Sequence, residues 1–141
     1  MPETGEPDDD RWEYTLSVPN DPRAVTICRR ALRLILTLHG LPHLAEVAEL
    51  VATELVTNAV QHTKGPAAIR LRWARGVLRI GVWDADPTPP APAPPGAHGE
   101  SGRGLNLVRG CADDWGWYRL GGARSPGGAG KFIWCELTTA A

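Results

Sequence analysis

Three short stretches of this chain combine side chains that could do chemistry. In Glu54-Leu55-Val56-Thr57-Asn58 a carboxylate and a carboxamide stand four residues apart. On a helix that spacing sets two side chains on one face, about 5–6 Å from each other. The neighbours Val51, Leu55 and Ala59 turn such a helix toward a core. Polar groups held against a core need partners, because an unpaired one costs about 1–3 kcal/mol. Taken alone, the pair reads as a capping or surface hydrogen bond on an ordinary helix. Asp84 ends an apolar run just before a long proline-rich segment. A carboxylate at a strand end beside a loop can accept a hydrogen bond from a ligand's exocyclic amine, or can form a plain turn with Ala85, Asp86 and Pro87. In Gly102-Arg103-Gly104-Leu105-Asn106-Leu107-Val108 glycines open the backbone where a helix begins. Free N–H groups and the positive end of the helix dipole make that an anion site. The pattern is neither a Walker A loop nor a dinucleotide fingerprint, and a lone Gly-x-Gly is weak by itself.

The elements that must position these residues are legible from periodicity. Tyr14, Leu16 and Val18 alternate with polar residues and predict a half-buried strand stopped by Pro19. Asn20 or Asp21 can cap a helix with Pro22 in its first turn. Ala24, Val25, Cys28, Ala31, Leu32, Ile35 and Leu38 recur at helical spacing, and His39-Gly40 ends that helix. A second helix follows Pro42 and runs to about Thr63, with Leu44, Ala48, Val51, Ala52, Leu55 and Ala59 as its core stripe. Residues 69–73 and 77–83 predict two strands joined by an Arg75-Gly76 turn. From 85 to 103 there is no periodicity. A structureless stretch of that length inside one domain is usually a functional lid, with a plain surface loop as the alternative. Helix resumes at Gly104 and runs to about Ala112, and two late strands are expected around 115–120 and 132–138. Trp73, Trp83, Trp115, Trp117 and Trp134 fall in predicted strands, where packing is their default role; Trp115 or Trp117 could instead face a partner. Trp12 precedes the first predicted strand.

Composition excludes several classes. At 141 residues the chain is about one domain long, with 43% hydrophobic and 22% charged residues. A net charge of −1 gives no reason to expect nucleic acid or an anionic membrane as partner. No stretch approaches a membrane-spanning length, and the acidic, proline-containing N-terminus is unlike a signal peptide, so the expected location is cytoplasmic. Residues 1–11 read as a disordered acidic tail. Cys28, Cys111 and Cys135 suggest neither a disulfide framework nor a metal site, and His39, His43, His62 and His98 lack metal-ligand spacing.

Taken together, the three stretches are more specific than any one. In order and spacing, Glu54-Leu55-Val56-Thr57-Asn58-Ala59-Val60-Gln61-His62, then Asp84, then Gly102-Arg103-Gly104-Leu105 resemble the Bergerat-fold (GHKL) ATPase superfamily of gyrase subunits, histidine-kinase catalytic domains and anti-sigma factors. The resemblance covers about residues 12–137. Chain length, the first strand and helix, and Gly130-Lys131-Phe132-Ile133-Trp134 resemble its anti-sigma-factor serine/threonine kinase branch. It implies one histidine-kinase-like ATP-binding domain over 12–141, with the ATP lid at about 85–103. The implied fold is an α+β two-layer sandwich, helices packed on one face of a mixed, mostly antiparallel sheet.

The same resemblance implies ATP and Mg²⁺ as cofactors. Asn58 would ligate Mg²⁺ through its side-chain oxygen, and Glu54 would be the general base. Asp84 would accept from the adenine amino group. Gly102 and Gly104 would offer backbone N–H groups to the phosphates beside Leu105, with His62 and Arg103 as further phosphate contacts; His62 reads equally as a satisfied helix-end residue. Two positions depart from the family pattern. Asp86-Pro87 replaces a glycine and is expected to stiffen the pocket floor. Phe132 replaces a hydroxyl residue expected beside the adenine, removing a water-mediated hydrogen bond worth about 1 kcal/mol. The implied partners are a small anti-sigma-factor antagonist protein, a sigma factor, and a second copy in a homodimer. A non-catalytic, ATP-responsive binding module is the alternative function. A detached histidine-kinase catalytic domain is the third, disfavoured because no dimerisation segment with a phospho-accepting histidine is evident.

Overall fold

The computed structural model describes residues 11–63, 65–86, 112–120 and 130–138. The expected acidic tail, the lid beyond Asp86 and the helix from Gly104 lie outside them. Strand β1 (Trp12–Val18) leads into helix α1 (Arg23–Leu38); a 3₁₀ turn (Pro42–Leu44) opens helix α2 (Ala45–His62); β2 (Ala67–Ala74), β3 (Val77–Asp84), β4 (Asp114–Leu120) and β5 (Gly130–Thr138) follow. The five strands form one sheet in the order β1-β2-β3-β5-β4. Every pairing among the described residues is antiparallel, and the architecture is the expected α+β one.

Local chemistry explains the joints. The β2–β3 hairpin turns on Arg75 and Gly76, at φ +56° and +79°. Two successive positive φ values are what a two-residue type I′ turn needs to match strand twist. Helix α1 ends as a Schellman motif: Gly40 sits at φ +78°, its N–H donates to the Thr37 carbonyl, and the Leu41 N–H reaches the Leu36 carbonyl at 2.7 Å. At the other end of α1, the Asp21 carboxylate accepts from the Arg23 backbone N–H at 2.9 Å. Asn20 has a different task from the capping of α1 that its sequence position suggests. Its side-chain amide donates to the Val60 and Thr63 carbonyls, tying off the C-terminal end of α2.

Strand alternation sorts the sheet into two faces. Ile69, Leu71, Leu78, Ile80, Val82, Ile133, Cys135 and Leu137 form the buried side, under the fully buried stripe Ala48, Val51, Ala52, Leu55, Val56 and Ala59 of α2. Each large aliphatic side chain removed from water there contributes about 1.5–3 kcal/mol. Helix α2 packs on β2 and β3, and α1 packs against α2. The seam of α1 is Ala24, Cys28, Leu32 and Leu36, while Leu38, expected in the core, is 75% exposed, as are much of Ile27 and Leu34. The stripe is rotated because α1 meets a neighbouring helix rather than the sheet. Trp12 belongs to β1, its ring stacked on His39 with centroids 4.4 Å apart.

One glycine marks where the start of β5 lies close against backbone at the end of β3. A Cβ on Gly130 would lie 2.5 Å from the Asp84 carbonyl oxygen and 3.0 Å from the Trp83 indole nitrogen. Because backbone cannot move aside as a side-chain tip can, Gly130→Ala should destabilise the fold by about 1–3 kcal/mol, read as a lowered urea midpoint. An unchanged midpoint would mean that β3 and β5 separate freely at this end.

Candidate functional site

Asp84 closes β3 on the buried face, in line with Leu78, Ile80 and Val82. Its direct cross-strand neighbour is Lys131, the second residue of β5. Strand alternation points both side chains toward the helices, and both are almost fully enclosed, Lys131 7% and Asp84 3% exposed. The Lys131 ammonium donates to Asp84 Oδ1 at 3.0 Å and to the Asp86 carbonyl at 2.9 Å. Asp84 Oδ1 also accepts from the Asp86 backbone N–H at 2.9 Å. The Asp86 backbone thus holds both members of the pair, where the sequence suggested only stiffness.

Among the described residues Asp84 Oδ2 accepts from no donor, and the third N–H of Lys131 meets no acceptor. Burial raises the Asp84 pKa above its ordinary 3.8; the Lys131 hydrogen bond and charge and the Asp86 N–H oppose that shift without cancelling it.

Glu54 and Asn58 lie on α2 at the margin of its buried stripe, each half-buried. Asn58 stands about 7 Å along the helix axis from Thr63 at 1.5 Å per residue. That end of α2 meets the end of β3: a Cβ on Gly65 would touch the Ala85 Cβ at 3.1 Å, with the Thr63 hydroxyl beside it. Glu54 is already engaged in an interaction of its own. The second half of α2, the end of β3 and the start of β5 thus converge on one end of the sandwich, which collects Asp84, Lys131 and the helix carrying Glu54 and Asn58. The side chain of His62, in the last turn of α2, and Gly102, Arg103, Gly104 and Leu105 lie outside the described residues.

Phe132 requires a correction. Its ring lies on the opposite face of the sheet from Asp84, packed over Gly81, 5.4 Å from the Tyr118 ring and under the Arg70 guanidinium. Period-two alternation dictates this, since Ile133, Cys135 and Leu137 face inward and Lys131 must share their side. No hydroxyl is missing beside Asp84; the position facing it holds a lysine. Lys131 is the residue that motif reading passed over: alternation puts it on the inward side of β5, but only the β3–β5 register sets it against Asp84. A hollow of about 530 Å³ at this end, lined by Asn20, Gly65, Pro66 and Trp83 among others, holds none of the expected site residues.

Residues 18–128 match the histidine kinase-like ATPase domain family. The chain belongs to that family. It is also 41% identical over 78 residues to an uncharacterized protein of Streptomyces coelicolor, an overlap covering 52% of this chain and 74% of the relative. The chain is accordingly an ATP-binding domain. Among the described residues no helix is long and apolar enough to cross a membrane, and no group of three or more acidic, histidine or cysteine side chains could hold a metal.

A carboxyl whose pKa is raised by folding contributes stability fully below 3.8, lost as pH rises through the folded value. Removing the opposing charge with Lys131→Met should move the Asp84 midpoint further up and extend that window to higher pH. A titration of the Asp84 carboxyl carbon by NMR reads it; an unchanged or lower midpoint would remove Lys131 as the counter-charge.

Proposed function

We propose that this chain is an ATP-dependent regulatory switch, an anti-sigma-factor-type serine/threonine kinase that phosphorylates a small antagonist protein and sequesters a sigma factor in the cytoplasm. The observation that carries the nucleotide part is the buried Asp84, one of whose oxygens is unmatched among the described residues, at the sandwich end where α2 brings Glu54 and Asn58. A buried acceptor aimed at a ligand's amine selects strongly, because a ligand without that amine leaves it unpaired. Asp84 accepts from the adenine amino group in this reading. Asn58 supplies a hard oxygen to Mg²⁺, which takes few protein ligands and keeps phosphate oxygens and water, so a single carboxamide suffices on the protein side. Held by Asn58, the metal would supply charge neutralisation for the phosphates. Glu54 orients the incoming hydroxyl and takes its proton. Gly102 and Gly104 offer backbone N–H groups to the phosphates, flanked by Leu105, Arg103 and His62.

A non-catalytic, ATP-responsive binding module is the second reading, and α1 leaves Ile27, Leu34 and Leu38 exposed. Apolar side chains gathered on one helix face suit a protein partner in either case.

Calorimetry with ATP should detect binding that strengthens with Mg²⁺, and Asn58→Ala should remove mainly the Mg²⁺-dependent part. No heat at millimolar ATP in either condition would overturn the nucleotide reading. Binding and chemistry separate at Glu54: Glu54→Gln should retain ATP and partner binding yet lower phosphate transfer to a co-purified small partner by roughly 10²–10⁴-fold, the span of a general base. Wild-type protein that binds its partner stably and transfers no phosphate decides for the binding module.

A further inference from the structure

Most of the buried polar groups in a folded protein are hydrogen-bonded, and each exception calls for a reason. Two exceptions stand side by side here. Asp84 Oδ2 and the third N–H of Lys131 are an unmatched acceptor and an unmatched donor, both among the described residues without a partner and both on side chains more than nine-tenths buried. A salt bridge serving only stability would gain from closing both. Arginine could do so, since its planar fork binds a carboxylate through two parallel hydrogen bonds and would occupy Oδ1 and Oδ2 together. The chain contains 13 Arg and 2 Lys, and uses a Lys at this position. The compact ammonium takes Oδ1 and braces itself on the Asp86 carbonyl, and among the described residues one of its three donors is left.

An acceptor beside a donor complements a ligand edge carrying a donor beside an acceptor. The base edge of adenine has that arrangement, an exocyclic N6–H next to the bare ring nitrogen N1. We infer that Lys131 is a specificity-determining contact of the nucleotide site, donating to adenine N1 while Asp84 accepts from N6. This rests on the ATP reading above and adds to it a second, direct reader of the base. Lys131 and the Asp86 N–H occupy Asp84 Oδ1 and leave Oδ2 to accept, so the two side chains present a single fixed pattern. Guanine offers O6 and N1–H in the reverse order, and a base seated as adenine is would set acceptor against acceptor at Asp84 and donor against donor at Lys131.

The test uses the full chain and two nucleotides, ATP and 1-deaza-ATP, in which a C–H replaces N1. Wild-type protein should bind 1-deaza-ATP roughly ten- to hundredfold more weakly than ATP, the span expected when a buried donor is left unmatched. Lys131→Met should bind ATP more weakly and lose the discrimination, with the two nucleotides binding within about twofold of each other. Wild-type protein that binds both nucleotides equally overturns the role of Lys131 while leaving ATP binding intact, and needs no variant to fold. A Lys131→Met protein that is folded by circular dichroism and still discriminates tenfold overturns it as well. Wild-type protein that binds neither nucleotide overturns the ATP reading itself, a result distinct from both.

Discussion

Directly opposite residues on antiparallel strands point to the same side, and at the open end of β3 and β5 this rule sets Asp84 against Lys131. The same register places Ile80 opposite Cys135, Val82 opposite Ile133 and Leu78 opposite Leu137, all on the buried face. A one-residue slip of β5 would turn its Ile133, Cys135 and Leu137 to the outer face and bring Phe132 against the carboxylate. Core and site are therefore not independently adjustable. The apolar pairs hold the register, and the register delivers a buried acid with its counter-charge to the strand ends.

Burying that pair has a cost that Coulomb attraction only partly offsets. Desolvation disfavours the Asp84 carboxylate, in keeping with its raised pKa beside a cation. Removing one partner of such a pair typically costs about 3–5 kcal/mol, whereas replacing both with apolar residues is often neutral. Stability alone thus gives little reason for an acid and a base here. A requirement to present charge and hydrogen-bonding groups to a ligand does, and it fits the oxygen and N–H that are unmatched among the described residues.

The rest of the fold keeps this end of the sandwich in place. Gly130 lets β5 approach the Asp84 carbonyl, and Gly65 lets the chain leaving α2 lie against Ala85. Asn20 ties the segment between β1 and α1 to the last carbonyls of α2. On the outer face the rings of Phe132 and Trp134 cover Gly81 and Gly116 and carry Arg70 and Arg79 above them. That packing shields the sheet from the side opposite the site, which is where Phe132 acts.

Period and punctuation alone determined much of this protein. The alternation in β1, the hairpin at Arg75-Gly76, the stop at His39-Gly40 and the buried stripe of α2 are local patterns, and local sterics and hydrophobic spacing are enough to specify them. Glu54 and Asn58 share a helix face because they are four apart, and Asp84 ends a strand because the apolar run ends there. What local pattern could not supply was which strands are neighbours. Lys131 stands 47 residues from Asp84, and only the β3–β5 pairing converts that separation into a 3.0 Å contact and moves Phe132 to the other face. Leu38 and Asn20 illustrate the same limit. Helical spacing counts Leu38 as core, but α1 rests on α2 and rolls it outward; Asn20 looks like a cap for the helix that follows it, but the nearest open carbonyls belong to α2. Residues far apart in the chain set each of these outcomes, so they exist only once the layers have packed.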